Sequence, residues 1–597
     1  MTLASLAVML FLVPQAPAKG ALDGIVVNAT TSEPVNGAQV MLIEIPAGVP
    51  LGGGLVGGTL VGILGASPAP PSAVATPAPN RPPAPAMVTT ASDGRFAFKD
   101  LNAGTYRVMV VANGYARQEY GQRIVNGQGT PVYLSTGHEL RDLTIRLSPT
   151  GAVSGRILDE SGQAAVDAPV QLLRVVYNPQ GKTYQALGSA AANDRGEHRL
   201  YGIPPGNYYL NVGNGPGLLR RPGQAGFGNP GSIATYAVSF YPGVADLSQA
   251  ALIEVKSGGE IIADMRVERQ RMYRVRGRII DSRTGQPPTM ADVSLSYRSL
   301  SGGGGSFSSG PSYDPASGAF ELQNVIPGQY IIQAQIPETN PFVRPTDAAA
   351  FAARAAAVAA RPSAQVPLSV TNADIEGLLL TITVPASVSG RVTLEGSALS
   401  ALPNIDRIRV TFRASQDGFA NPAGTQPTGS PVTADGTFQV EGLREGTYLA
   451  SILGIPPGFY VKSARLDGTD ILSDVFKFSG SASGRLDIVV SSGAAQINGA
   501  VTNAKGLPVP GVQAILVPVQ RNRPDLYRMA DTDQNGRFTM TGITPGEYRL
   551  FSWEAIEPYR YLDPDFLKRF ESDGRAIHIA ESSTQTIDTK MIPSARQ

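Results

Sequence analysis

Few side chains of this sequence are suited to acid–base, nucleophilic or metal chemistry. Cysteine is absent, so disulfides, thiolate metal sites and cysteine nucleophiles are excluded. The only histidines are His138, His198 and His578. His578 and Glu581 match the HxxE spacing of some zinc hydrolases, but no second histidine follows them, and residues three apart on a strand face opposite sides. We therefore predict that the chain is not an enzyme and that it binds no cofactor.

One acidic segment resembles the first half of a calcium-binding loop. Asp531, Asp533 and Asn535 alternate as calcium ligands do in such loops. The twelfth position, where a bidentate glutamate is required, is Gly542. The same place in other parts of the chain reads as an ordinary hairpin turn. We therefore predict a turn here and keep the three residues as a weak calcium candidate.

Aromatic residues cluster near the C-terminal end, around the only tryptophan of the chain. Trp553, Tyr559 and Tyr561 lie close to aspartate and glutamate residues in the segment FSWEAIEPYRYLDPDF. Such a platform could stack against a sugar ring while the carboxylates bind its hydroxyl groups. The alternative is that these rings pack in a core or under a loop. Carbohydrate binding by this cluster is the alternative function.

A run of arginines forms the second candidate binding surface. Arg274, Arg276 and Arg278 alternate, so they share one face of a strand. A face balanced by carboxylates on a neighbouring strand is one interpretation. The other is a stripe that binds an anion, such as an acidic polysaccharide or a lipid phosphate.

Five copies of one pattern divide the chain and predict the elements that hold these residues. Each copy has two glycines ten residues apart, namely Gly94/Gly104, Gly196/Gly206, Gly318/Gly328, Gly436/Gly446 and Gly536/Gly546. Two positions after the first glycine stand Phe96, His198, Phe320, Phe438 and Phe538. Two positions after the second stand Tyr106, Tyr208, Tyr330, Tyr448 and Tyr548. Turn residues followed by alternating apolar residues predict a β-hairpin with one buried face in every copy.

The repeated tyrosine and the flanking strands complete the predicted module. A tyrosine just past a turn can bury its ring and bind backbone through its hydroxyl, as in the tyrosine corner of β-sandwiches. A glycine-containing opening strand precedes each copy, and an alternating closing strand follows it. Each closing strand runs almost directly into the next opening strand. These short junctions predict a stiff or gently jointed rod rather than loosely tethered domains. We expect the rod to be extended and monomeric.

The pattern resembles the carboxypeptidase regulatory-like module. The matching features are the opening G-x-V/I, the D-G-x-F turn and strand, and the P-G-x-Y turn and strand, which together cover most of the chain. The resemblance implies a transthyretin-like β-sandwich of seven strands, and it extends to the starch-binding-like fold. It implies no particular chemistry, because sandwiches host many functions.

The predicted fold class is all-β, a tandem array of about five seven-stranded immunoglobulin/transthyretin-like sandwiches with one short Ala-rich helix. The predicted boundaries are a signal peptide (1–18), module 1 (19–149) with a Pro/Gly/Ala-rich insert (46–85), module 2 (150–271), module 3 (272–386) with the Ala-rich helix (346–361), module 4 (387–493) and module 5 (494–597).

Composition and the N-terminal segment bear on location and partners. Residues 1–18 contain an apolar stretch that ends in Ala16-Pro17-Ala18, a site typical of signal peptidase cleavage, although the usual basic start is missing. The formal net charge is +1, which gives no field to attract nucleic acid. We predict a secreted, periplasmic or surface protein without a transmembrane segment in its mature form. Its predicted role is binding, adhesion or spacing, with a polysaccharide or another surface protein as partner.

Overall fold

The computed structural model describes residues 19–45, 86–124, 127, 129–178, 181–213, 235–298, 304–307, 312–337, 354, 357, 358, 360–414, 429–480 and 484–594. The predicted leader, the Pro/Gly/Ala-rich insert and most of the Ala-rich segment lie outside these residues. Of the Ala-rich segment, Arg354, Ala357 and Val358 are helical. The chain divides into two compact units, Met1–Thr150 and Gly151–Gln597.

The first unit contains one β-sandwich, called sandwich 1. Its strands are β1 (Gly20–Asn28), β2 (Gln39–Ile45), β3 (Ala86–Thr89), β4 (Arg95–Leu101), β5 (Gly104–Val111), β6 (Gln118–Glu119), β7 (Val132–Leu134) and β8 (Glu139–Leu147). One sheet has the order β4-β1-β8. The other has the order β3-β2-β5-β6, with β7 also paired to β5.

The second unit begins with sandwiches 2 and 3. Sandwich 2 comprises β9 (Gly151–Asp159), β10 (Pro169–Asn178), β11 (Gly181–Ala191), β12 (Glu197–Ile203), β13 (Gly206–Val212), β14 (Thr235–Tyr236), β15 (Ser239–Phe240), β16 (Ile253–Val255), β17 (Glu260–Ile262), β18 (Met265–Val267) and β19 (Arg269–Gln270). Sandwich 3 comprises β20 (Tyr273–Asp281), β21 (Asp292–Arg298), β22 (Gly304–Phe307), β23 (Ser312–Tyr313), β24 (Ala319–Val325), β25 (Gly328–Gln335), β26 (Ser363–Val370) and β27 (Ile375–Ile382).

Sandwiches 4 and 5 complete the second unit. Sandwich 4 comprises β28 (Ala386–Leu394), β29 (Arg409–Ala414), β30 (Ser430–Pro431), β31 (Thr437–Leu443), β32 (Gly446–Leu453), β33 (Tyr460–Leu466), β34 (Thr469–Asp470), β35 (Phe476–Phe478) and β36 (Arg485–Ser491). Sandwich 5 comprises β37 (Ala495–Thr502), β38 (Gln513–Pro518), β39 (Arg528–Asp531), β40 (Arg537–Ile543), β41 (Gly546–Trp553), helix α1 (Pro564–Lys568), β42 (Arg575–Ile579), β43 (Thr584–Thr586) and β44 (Thr589–Lys590).

Short 3-10 turns decorate the strands at Leu247–Gln249, Leu399–Ala401, Ile405–Arg407, Pro524–Leu526, Arg560–Leu562 and Glu571–Asp573. Among the described residues, no helix is long and apolar enough to cross a membrane.

One topology recurs in all five sandwiches. The opening strands β1, β9, β20, β28 and β37 each pair antiparallel with the strand that follows the first repeated glycine. Each also pairs parallel with the closing strand of the same sandwich. The strand that carries the repeated tyrosine lies in the opposite sheet. Each sandwich encloses its own cluster of buried apolar side chains. The predicted all-β fold of multiple sandwiches is thus confirmed.

The repeated tyrosine forms the same hydrogen bond in every sandwich. The hydroxyls of Tyr106, Tyr208, Tyr330, Tyr448 and Tyr548 each donate to the backbone carbonyl four residues earlier, at 2.6 to 3.0 Å. All five rings are buried. The predicted tyrosine corner is confirmed, and burial raises the pKa of Tyr548 to about 12.

Replacing Tyr548 by phenylalanine is expected to destabilise sandwich 5 by about 1 kcal/mol, because the carbonyl of Thr544 loses its donor while the ring still packs. Urea unfolding followed by Trp553 fluorescence measures the change. Tyr559→Phe is the control, since the Tyr559 hydroxyl has no hydrogen-bond partner among the described residues. A Tyr548→Phe protein as stable as this control would contradict the role of the corner.

The predicted extended rod does not hold for residues 151–597. Strands β10 and β11 of sandwich 2 contact the turn Arg560–Leu562 of sandwich 5. These two sandwiches are not neighbours along the chain, so the array must turn back between them. The reason is that a short junction limits the distance between successive sandwiches but does not fix the angle between them.

Candidate functional site

The C-terminal aromatic cluster is a hydrophobic core, not a surface platform. Trp553 is fully buried, and its ring stacks on Phe551 with centroids 4.9 Å apart and planes at 12°. The ring of Phe570 lies at 87° to the Trp553 ring, with centroids 6.0 Å apart. Tyr561 is also buried. Tyr559 is half-buried beside it, with the two ring centroids 6.2 Å apart. Of the two interpretations, packing in a core is therefore confirmed for Trp553 and Tyr561, and the glycan platform is wrong for them, because neither ring has a face open to a sugar.

This second core forms because residues 554–574 fold back over the outer face of a sheet. Tyr548 and Leu550 of strand β41 point into the sandwich, whereas Phe551 and Trp553 belong to the outer cluster. The residues of β38 divide in the same way, with Ile515 among those on the outer side. A strand that is apolar on both faces indicates burial on both sides. That signal was present in the sequence AILV of β38 and could have identified the second core.

Two arginines of the stripe, Arg274 and Arg276, are paired with carboxylates on neighbouring strands. Arg276 lies between Glu321 of β24, at 3.0 Å, and Glu376 of β27, at 2.9 Å. Arg274 lies 3.9 Å from Glu321. Arg278 donates from Nε and Nη2 to the carbonyl of Ser317, at 3.1 and 3.0 Å. The hydrogen bonds that Arg276 donates to Glu321 and Glu376 raise its pKa. The structure thus matches the balanced-face interpretation at Arg274 and Arg276, whereas the charge of Arg278 faces a neutral carbonyl.

The calcium candidate is organised as a hairpin turn. Oδ1 of Asp533 accepts hydrogen bonds from the backbone N–H groups of Asn535 and Arg537, both at 2.8 Å. Asn193 holds the equivalent turn of sandwich 2 in the same way. Asp531 lies on β39, before the turn. Within the described parts of the chain, no group of three or more histidine or acidic side chains is placed to hold a metal ion.

The two residues of the HxxE spacing, His578 and Glu581, contact different neighbours. His578 on β42 lies 2.6 Å from Oε1 of Glu547 on β41, and both side chains are exposed. Oε1 of Glu581 accepts hydrogen bonds from the hydroxyls of Tyr460 and Ser491, at 3.1 and 2.9 Å. The two side chains therefore form no common site. Because Tyr460 and Ser491 belong to sandwich 4, Glu581 instead ties that sandwich to sandwich 5.

The side-chain contacts that hold sandwich 4 against sandwich 5 were not identified from the sequence. Gly493 lies beneath Glu581, and a Cβ atom at this glycine would come within 2.3 Å of Cγ of Glu581. A second link joins Nδ2 of Asn522 to Oδ1 of Asp474 at 3.2 Å. These partners are far apart in sequence, so no local pattern points to them.

A groove of about 520 Å³ lies on sandwich 1, beside strands β1, β3, β4 and β8. Its lining includes Asp23, Arg95, Arg141 and Asp142, together with the polar Thr89. Arg95 and Asp142 lie 4.0 Å apart across it. The mixed charges select neither an anion nor a cation.

No known protein family matches the chain, and no curated protein matches it. The carboxypeptidase regulatory-like resemblance therefore stays a prediction. Solved structures that align with the chain include a minor pilin of Streptococcus agalactiae (13% identity, 42% of this chain and 96% of that chain, TM-score 0.23) and a streptococcal ancillary pilin (10% identity, 61% and 99%, TM-score 0.20). A putative carbohydrate binding protein from Pseudomonas aeruginosa aligns at 19% identity over 16% of this chain and 88% of that chain, with a TM-score of 0.12. At such identities and TM-scores the likeness says nothing about what this chain does.

Proposed function

We propose that this chain is a non-enzymatic structural protein that acts outside the cytoplasm in binding, adhesion or spacing. The observation that carries the proposal is the use of the repeated residues. The tyrosines hold the corner of each sandwich, and each repeated aromatic side chain packs over the glycine of the opening strand. The residues common to all five modules therefore serve packing. This suits a scaffold in which residues that bind a partner would lie in the loops.

The junction between sandwiches 4 and 5 supports a spacer role. The Glu581 carboxylate receives two side-chain hydrogen bonds from sandwich 4, and the backbone N–H of Ala494 donates to the carbonyl of Gly458 at 3.3 Å. Links of this kind resist bending at the junction, as a spacer requires. The partner that we propose for the scaffold is a surface polysaccharide or another surface protein.

Export is tested by locating the protein in bacterial cells. Strand β1 begins at Gly20, so cleavage after Ala18 would leave the fold of sandwich 1 complete. We expect a C-terminally tagged chain to be recovered outside the cytoplasm with Lys19 as its first residue. Ala18→Lys is the cleavage control, and deletion of residues 1–18 is the export control. A chain that stays in the cytoplasm with residues 1–18 intact would overturn the proposed location.

A further inference from the structure

Sandwich 5 carries a segment that the repeat pattern does not contain. Residues 554–574, here called the aromatic insertion, run between β41 and β42 and include the Arg560–Leu562 turn and helix α1. Its apolar side chains, such as Phe566 and Phe570, cover the outer face of the sheet. Covering that sheet accounts for the buried rings of the insertion. It does not account for Arg560 and Asp563, which contact another sandwich.

Arg560 and Asp563 contact a β-hairpin that projects from sandwich 2. Strand β10 pairs with β13 only from Val170 to Leu173, whereas its pairing with β11 continues to Asn178 and Gly181. Beyond Leu173 the hairpin is thus a two-stranded ribbon, which is marginally stable in water by itself. Tyr177 lies near its tip and is not part of the hydrophobic core of sandwich 2.

Tyr177 docks on the aromatic insertion through its hydroxyl and its ring. The hydroxyl donates to Oδ2 of Asp563 at 3.1 Å. The guanidinium carbon of Arg560 lies 5.9 Å from the centroid of the Tyr177 ring and 4.7 Å from that of Phe566, so the cation lies close to an aromatic ring from each sandwich. Strands β10 and β11 both contact the Arg560–Leu562 turn.

The charged groups of the insertion are held in place for this contact. Oδ1 of Asp563 accepts from the backbone N–H of Asp565 and caps helix α1, which leaves Oδ2 for Tyr177. Glu557 lies 3.4 Å from Nη1 of Arg560. Burial, followed by the charge of Asp563, raises the pKa of Tyr177 to about 12.

We propose that the aromatic insertion is a docking surface for the β10–β11 hairpin of the same chain. Docking closes residues 151–597 through a contact between sandwiches 2 and 5, and opening it would separate them without unfolding either one. The contact goes beyond the proposed scaffold role, because it fixes how two sandwiches that are not neighbours along the chain meet.

Spin-label distance measurement tests the docking cleanly, because the chain has no cysteine of its own. Lys182→Cys places one label directly across the ladder from Tyr177, and Asp565→Cys places the other on helix α1. Both positions are exposed. We expect a single narrow, short distance that is unchanged when the labelled protein is diluted with unlabelled protein.

Tyr177→Glu sets a carboxylate against Asp563 and is expected to remove most of the short-distance population. Tyr201→Glu is the matched control, since Tyr201 of sandwich 2 is 78% exposed and lies on β12. The control should keep the short distance, and Trp553 fluorescence should show sandwich 5 folded in both variants. A broad, long distance in the parent protein would overturn the proposal, as would a short distance that survives Tyr177→Glu. A short distance that disappears on dilution would assign the contact to two copies and overturn docking within one chain.

Discussion

Replacing Trp553 by alanine is expected to destabilise sandwich 5 by about 3 to 5 kcal/mol, the usual cost of emptying a large buried aromatic site. The indole is fully buried and contacts three aromatic rings, those of Phe551, Phe566 and Phe570. A domain is stabilised by only about 5 to 15 kcal/mol, so sandwich 5 should become marginal. Hydrogen exchange followed by mass spectrometry resolves this loss, because peptides from β38 and β41 report on sandwich 5 alone.

Two control substitutions test whether the loss of stability comes from emptying the buried site of Trp553. Tyr201→Ala removes an aromatic side chain of sandwich 2 that is 78% exposed. It should change the free energy of unfolding of sandwich 2 by no more than about 0.5 kcal/mol. Trp553→Phe keeps most of the ring volume and removes an indole N–H that has no hydrogen-bond partner among the described residues, so it should cost far less than alanine. Unchanged exchange in β38 and β41 of the Trp553→Ala protein would show that the second core contributes nothing.

Features set by neighbouring residues could be predicted from the sequence. The tyrosine corner is an example, because Tyr548 and its acceptor Thr544 lie four residues apart around one turn. The hairpin turn at Asp533 is another, since its hydrogen bonds also stay within four residues. In both cases the residues that predict the turn from the sequence are the same residues that form its hydrogen bonds.

Features set by contacts between distant segments could not be predicted. Tyr177 and Asp563 are 386 residues apart in the chain, and neither lies in a pattern that points to the other. For the aromatic cluster the sequence left two interpretations open, although the apolar run of β38 favoured a second core. Trp553 near acidic residues resembles a sugar site until the fold shows that residues 554–574 turn back and bury it. The fold class could be predicted from local periodicity. Which surface side chains become buried depends on how distant segments and modules pack together.

A second large effect is expected at the glycine of the opening strand. A Cβ atom added to Gly155 would lie 2.3 Å from the carbonyl oxygen of Ala263 and 3.0 Å from Cε1 of His198. Gly24, Gly277, Gly390 and Gly499 show the same geometry, with the neighbouring carbonyl oxygen at 2.0 to 2.4 Å and the repeated phenylalanine above. The glycine therefore lets the opening and closing strands approach while the aromatic ring covers the gap. No alanine fits there without moving one strand.

Gly155→Ala is accordingly expected to destabilise sandwich 2 by about 2 kcal/mol, the strain of overpacking exceeding the entropy that alanine removes from the unfolded chain. Gly188 is the matched control in the same sandwich, because its added Cβ would meet nothing closer than 3.5 Å. Gly188→Ala should therefore stabilise by about 0.4 to 1 kcal/mol, the opposite sign. Urea-dependent hydrogen exchange of peptides from β9 and β10 measures both. Equal effects from the two substitutions would mean that loss of glycine flexibility, rather than the close approach of the strands, explains this position.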